Sequence, residues 1–186
     1  VRSRYRYLGL LAGGGITFAL LTPFAPTAQA ACTPPSGGAC GDTAVTFAVT
    51  GGGLAISVPG GTVDLGGAAP GATSAAASLG TVQVADTRGA DLVWHCRVQA
   101  TNLTSSGKPD IPATGGHYVP GTITTDNGTA SGTTSTDLSA STDIASHASG
   151  TGNSTSSWNP NITWIVPLTA QAGTYTGTVT HSVSPT

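Results

Sequence analysis

The stretch "GTYTGTVTHSV", residues 173–183, constrains this chain more than any other part of it. In an extended chain Tyr175, Gly177, Val179, His181 and Val183 fall on one side. Thr174, Thr176, Thr178, Thr180 and Ser182 fall on the other, because successive side chains of a strand alternate between faces. An apolar row opposite a hydroxyl row describes a strand with a core against one face only. The same period of two recurs with Val45, Phe47 and Val49, with Leu54, Ile56 and Val58, and with Val82 and Val84. Val, Ile and Thr are β-branched and suit a pleated surface, and Gly and Pro punctuate the runs. The expected fold is all-β, a single antiparallel β-sandwich of the immunoglobulin-like kind. "GATSAAASLG" is Ala-rich but short and bounded by glycines, so a loop or one turn is expected there.

The first thirty residues read differently. Arg2, Arg4 and Arg6 precede the apolar run "LGLLAGGGITFALL", and "TPFAPTAQA" follows. A basic head, an apolar middle and a small-x-small ending describe a secretory signal peptide, with cleavage expected after Ala30. The run is too short and Gly-rich for a membrane span, so none is expected after cleavage. Val1 reads as an alternative start codon translated literally. The expected organisation is a leader over 1–30, a Cys-bracketed segment over 31–43 and one β-sandwich domain over 44–186.

Losing the leader leaves Arg88, Arg97 and Lys108 against eight Asp and no Glu, a formal charge of −5 with His neutral. Nucleic-acid binding calls for clustered Lys and Arg, so nucleic acid is not an expected partner. Export also permits disulfides. Cys32 and Cys40 bracket "TPPSGGA", a short and easily closed loop, and are the natural pair; Cys96 pairing with either of them is the alternative.

"LVWHCRVQA", residues 92–100, holds the densest chemistry of the chain. A nucleophilic thiol needs a base within hydrogen-bond reach, and His95 adjoins Cys96. In a strand the two point to opposite faces: Trp94, Cys96 and Val98 share the apolar one, and His95 and Arg97 share the other. The expected core therefore includes Trp94, Cys96, Val98, Tyr175, Val179 and His181, with His181 hydrogen-bonded to backbone. Asp86 and Arg88 are expected on the outward side or in the turn, as a local ion pair. His95, His117, His147 and His181 lack metal-ligand spacing, and no nucleophile elbow or phosphate loop is present. No catalytic residue, metal or cofactor is expected, and no enzyme.

Residues 122–157 carry few large apolar side chains apart from Leu138 and Ile144. One or two edge strands with long loops are expected, with a disordered linker as the alternative. The four Asn-x-Ser/Thr sequons are what chance gives in so Ser/Thr/Asn-rich a chain, and Asp126-Asn127-Gly128 is a turn signal before it is a calcium site.

Three segments carry a family resemblance: "FAVTGGGLAISVPG", "LGTVQVADTRGADLVWHCRVQATNL" and "WNPNITWIVPLTAQAGTYTGTVTHSV". Together they resemble the WxL domain family of secreted Gram-positive surface domains, over residues 46–183. Cys96 stands at the Leu position of the first Trp-x-Leu motif, and His181 and Val183 stand at the Trp and Leu positions of the second. The resemblance implies a β-rich domain, extracellular and cell-wall associated, that attaches non-covalently to peptidoglycan or to another exported surface protein. Trp158, with Asn159 and Asn161, is the candidate glycan site, since an aromatic face with amides suits sugar recognition. Packing at the start of a strand is the other reading of Trp158. Docking onto a larger exported complex through a sheet edge or the N-terminal segment is the alternative function.

Overall fold

The computed structural model describes residues 44–90, 93–148, 150 and 152–186. The expected leader, the 31–43 segment and the Cys32–Cys40 pair lie outside the described residues. The strands are β1 (Leu54–Ser57), β2 (Ala77–Ser78), β3 (Val82–Asp86), β4 (Trp94–Ala100), β5 (Gly116–Val119) and β6 (Thr124–Thr125). They continue as β7 (Thr129–Gly132), β8 (Thr142–Ala148), β9 (Ser154–Trp158), β10 (Asn161–Trp164) and β11 (Val179–Pro185). Among the described residues the only helical element is a short 3₁₀ turn, Ala113–Gly115.

The protein is all-β, built from three antiparallel sheets packed together. Two four-stranded sheets, ordered β1-β3-β9-β6 and β11-β4-β8-β7, face each other, and a three-stranded sheet, β2-β10-β5, adds to them. β1 lies against β11 at one seam and β6 against β7 at the other. The interior is the apolar row of each strand: Val82 and Val84 from β3, Trp94, Cys96 and Val98 from β4, Ile162 and Trp164 from β10. Ile144 and Ala145 are both buried although adjacent, which strict alternation forbids. The register explains it: Cys96 pairs with Ala145 and Arg97 with Asp143, so Ile144 is the extra residue of a β-bulge.

Several expectations are corrected. Val45, Phe47 and Val49 form no strand; residues 44–50 are exposed, with Phe47 92% accessible. Val58 lies beyond β1 and is exposed. The last strand keeps its alternation but begins at Val179, so Tyr175 precedes it, and Tyr175, Val179 and His181 are half-buried. The Ala-rich stretch contributes the two-residue β2. Residues 122–157 hold four strands, and two of them, β8 and β9, are interior to their sheets.

Hydroxyl pairs add to the backbone ladders and the buried Ile144 and Trp158 in these four strands. Ser131 Oγ meets Ser146 Oγ at 3.0 Å and Thr124 Oγ1 meets Ser157 Oγ at 3.1 Å. Buried Ser156 donates to Thr125 Oγ1 at 3.1 Å, and Thr125 donates to the Asn127 carbonyl at 2.9 Å. A hydroxyl can enter a core when it is paired there.

Asp86 also turns inward, buried at the end of β3, where an outward position was expected. Its carboxylate takes Arg88 Nε at 2.9 Å and Nη2 at 2.6 Å, and Arg88 reaches on to the Val93 carbonyl at 3.3 Å. The Arg88 hydrogen bonds hold the Asp86 carboxyl below its ordinary range against the opposing effect of burial.

Candidate functional site

The strand β4 separates the neighbours of "WHCR". Trp94, Cys96 and Val98 are fully buried, whereas His95 is half-buried and Arg97 exposed, its Nε 2.6 Å from Asp143 Oδ1. Cys96 is a free thiol, and burial pushes it up to about 12. Cys32 and Cys40, the partners of the sequence alternative for Cys96, lie outside the described residues.

Trp158 is corrected most sharply. Counting back from it by twos gives Ser156 and Ser154, all three on the inward face of β9. The indole is 2% accessible, and Nε1 donates to Tyr118 Oη at 3.0 Å. A ring so placed has no face for a sugar. Asn159 and Asn161 are exposed, and Asn159 Oδ1 accepts the Ser78 hydroxyl at 2.7 Å. The two amides therefore stand without an aromatic platform.

Tyr118 Oη is the centre of a three-residue set. Trp158 can only donate, so the phenol oxygen accepts from it and directs its own proton to His181 Nε2 at 3.0 Å. This leaves the His181 proton on Nδ1 and the ring neutral. The bond runs to a side chain, not to the backbone partner expected for His181. Desolvation lowers the His181 pKa and raises that of Tyr118, both favouring the neutral pair.

His181 also lines a wide apolar groove of about 1220 Å³. Its floor is Ile162 and Trp164 of β10 with Leu103 and Ile111. One wall is the loop after β1, carrying Val58 and Leu65, and the other runs from Ala170 to Val179. The first wall is tied to β10: Ser74 N donates to the Trp164 carbonyl at 2.8 Å, and Trp164 N donates to Ser74 Oγ at 2.9 Å. Trp164 Nε1 is held by the Pro112 carbonyl at 2.9 Å. The second wall is braced where Tyr175 Oη donates to the Gln171 carbonyl at 3.0 Å.

Neither Trp164 nor Tyr118 was singled out as a site residue. The parity of "NITW" places Ile162 and Trp164 on one face, but only the pairing of β10 with β2 and β5 makes that face a groove floor. Beside the groove lies an open polar trough of about 530 Å³, lined by Thr101, Asn102, Thr104, Thr176, Gly177 and Thr178. Among the described residues no three His, Cys, Asp or Glu side chains gather as metal ligands, and no helix is long and apolar enough to cross a membrane.

No family model matches this chain, and no curated protein sequence matches it.

Proposed function

We propose that this chain is an exported, non-enzymatic surface domain that works by docking, its groove taking an extended apolar segment of an exported protein. The observation that carries this reading is the groove itself: an apolar floor between two loops, where Leu65, Leu79, Leu103 and Tyr175 stay only half-buried. Alternate side chains of an extended segment inserted there would complete that burial, a recurring mode of peptide recognition. The leader expected over 1–30 supports export. The separation of His95 from Cys96 across β4 supports a role without thiol catalysis.

The second reading is non-covalent attachment to peptidoglycan, as the resemblance to the WxL domain family implies. With Trp158 in the core, its specific support is the polar trough, whose hydroxyls and amide suit a glycan better than an apolar peptide.

Hydrogen exchange on the exported domain separates the two. Docking predicts slowed exchange at residues 64–72 and 170–175 in the presence of the exported protein fraction, and no retention on purified peptidoglycan. Retention on peptidoglycan with slowing at 101–104 and 176–178 selects the wall. Unchanged exchange with both overturns both readings.

A further inference from the structure

Residues 44–50, "AVTFAVT", are exposed, uncharged and unpaired in any sheet, and their sequence alternates as a strand's does. Val45, Phe47 and Val49 are 89%, 92% and 79% accessible. Three large apolar side chains on one edge of an exposed segment are costly to leave in water, at roughly 1.5–3 kcal/mol for each that could be buried. A donor segment and an acceptor groove are thus present on one chain. Resting on the docking reading, we infer that the groove is occupied by residues 44–50 of a second copy of this chain.

Phe47 and Val49 do not fill the groove of their own chain, since they stay 92% and 79% accessible. Immediately after this segment, Gly52 N is bonded to the Thr87 carbonyl, and Gly53 N donates to Thr87 Oγ1 at 2.9 Å. A Cβ on Gly51 would collide with the Arg88 carbonyl. The link is therefore pinned beside the turn after β3. Since Leu54 pairs with Asp86 and Ser57 with Gln83, β1 runs from this turn toward the groove, which it reaches only at Val58. A segment folding back on β1 retraces it at about 3.3 Å per residue. Val49 then comes abreast of Gly53, Phe47 of Ala55 and Val45 of Ser57, so Phe47 and Val49 lie short of Val58. A second copy has no such tether.

The chemistry of the two surfaces agrees. The segment carries no charge, and the groove's single acidic lining residue, Asp64, has Oδ1 already engaged by the Gly66 amide at 2.8 Å. Side chains two apart in a strand lie about 6.6 Å from one another, so Val45, Phe47 and Val49 present a row of about 13 Å. Each copy offers one segment and one groove, so pairs close reciprocally or continue head to tail.

The test is the solution mass of the exported chain and two variants. The wild type is expected at two copies or more by light scattering at ~100 μM. Phe47→Asp spoils the segment and Leu65→Asp spoils the groove, and each is expected as a folded monomer that still melts cooperatively. Val63→Asp replaces Leu65→Asp if that variant does not fold. Mixed together, Phe47→Asp and Leu65→Asp still hold one sound groove and one sound segment, so a one-to-one dimer is expected from the mixture alone. A wild-type monomer, or an assembly surviving both substitutions, overturns the second-copy assignment. If such a monomer still binds a labelled Val/Thr-alternating heptapeptide, and Leu65→Asp abolishes that binding, the docking reading stands without the second copy. If it binds none, both fall.

Discussion

Trp158 and Tyr118, forty residues apart, meet in the interior, where the indole Nε1 donates to the phenol oxygen at 3.0 Å. That bond ties β9 to β5 and so joins a four-stranded sheet to the three-stranded one. Through Tyr118 it also reaches His181, 3.0 Å away on β11, at the wall of the groove. One hydroxyl thus serves strands of all three sheets.

Tyr118→Phe leaves the Trp158 N–H and the His181 Nε2 lone pair without their partner. A loss of about 1–3 kcal/mol is expected, the cost of stranding a buried polar group. Urea unfolding followed by tryptophan fluorescence measures it; a loss below about 0.5 kcal/mol would show that the bond contributes nothing.

Acid should weaken the fold through His181. Burial lowers its folded-state pKa, so the unfolded chain takes the proton first as pH falls. Stability from this group is present above the ordinary histidine value of about 6.5 and declines as pH drops from there through the folded value. The melting temperature should therefore fall between pH 7.5 and 5.5, and His181→Gln should flatten that slope.

Cys96 should resist alkylation in the folded protein. Its thiol is fully buried and its pKa stands near 12, so little thiolate forms at pH 8. Iodoacetamide labelling mapped by mass spectrometry should find Cys96 unmodified until denaturant is added. Rapid native labelling would contradict the burial.

The two Arg–Asp pairs should differ in worth. Asp86 and Arg88 are 3% and 15% accessible, so Asp86→Ala strands a largely buried guanidinium, at on the order of 3 kcal/mol. Arg97 and Asp143 are each about half-exposed, and Asp143→Ala should cost below about 1 kcal/mol. Denaturation midpoints of the two variants give the comparison directly.

Much of the fold was legible because a strand's period of two is a local property. Val82 and Val84, Trp94 through Val98, and Val179 through Val183 keep the faces their parity assigns. Residues 122–157 were not legible, because their inward positions are filled by Ser154, Ser156 and His147 in place of valines. A serine reads as solvent-facing until its hydroxyl partner is known, and those partners lie on other strands. At Asp86, similarly, parity with Val82 and Val84 pointed inward, and a charged side chain read alone pointed outward; Arg88 decides it.

By itself the sequence determined the all-β class, the alternation of β3, β4 and β11, and the division of His95 from Cys96, since each follows from backbone geometry within a few residues. Only the tertiary structure decided that Trp158 is core, that Ile144 bulges, and that Trp164, Ile162, Leu103 and Ile111 form the floor of a groove. Those outcomes depend on which strands pair and in what register, and pairing joins residues tens of positions apart that no local period relates.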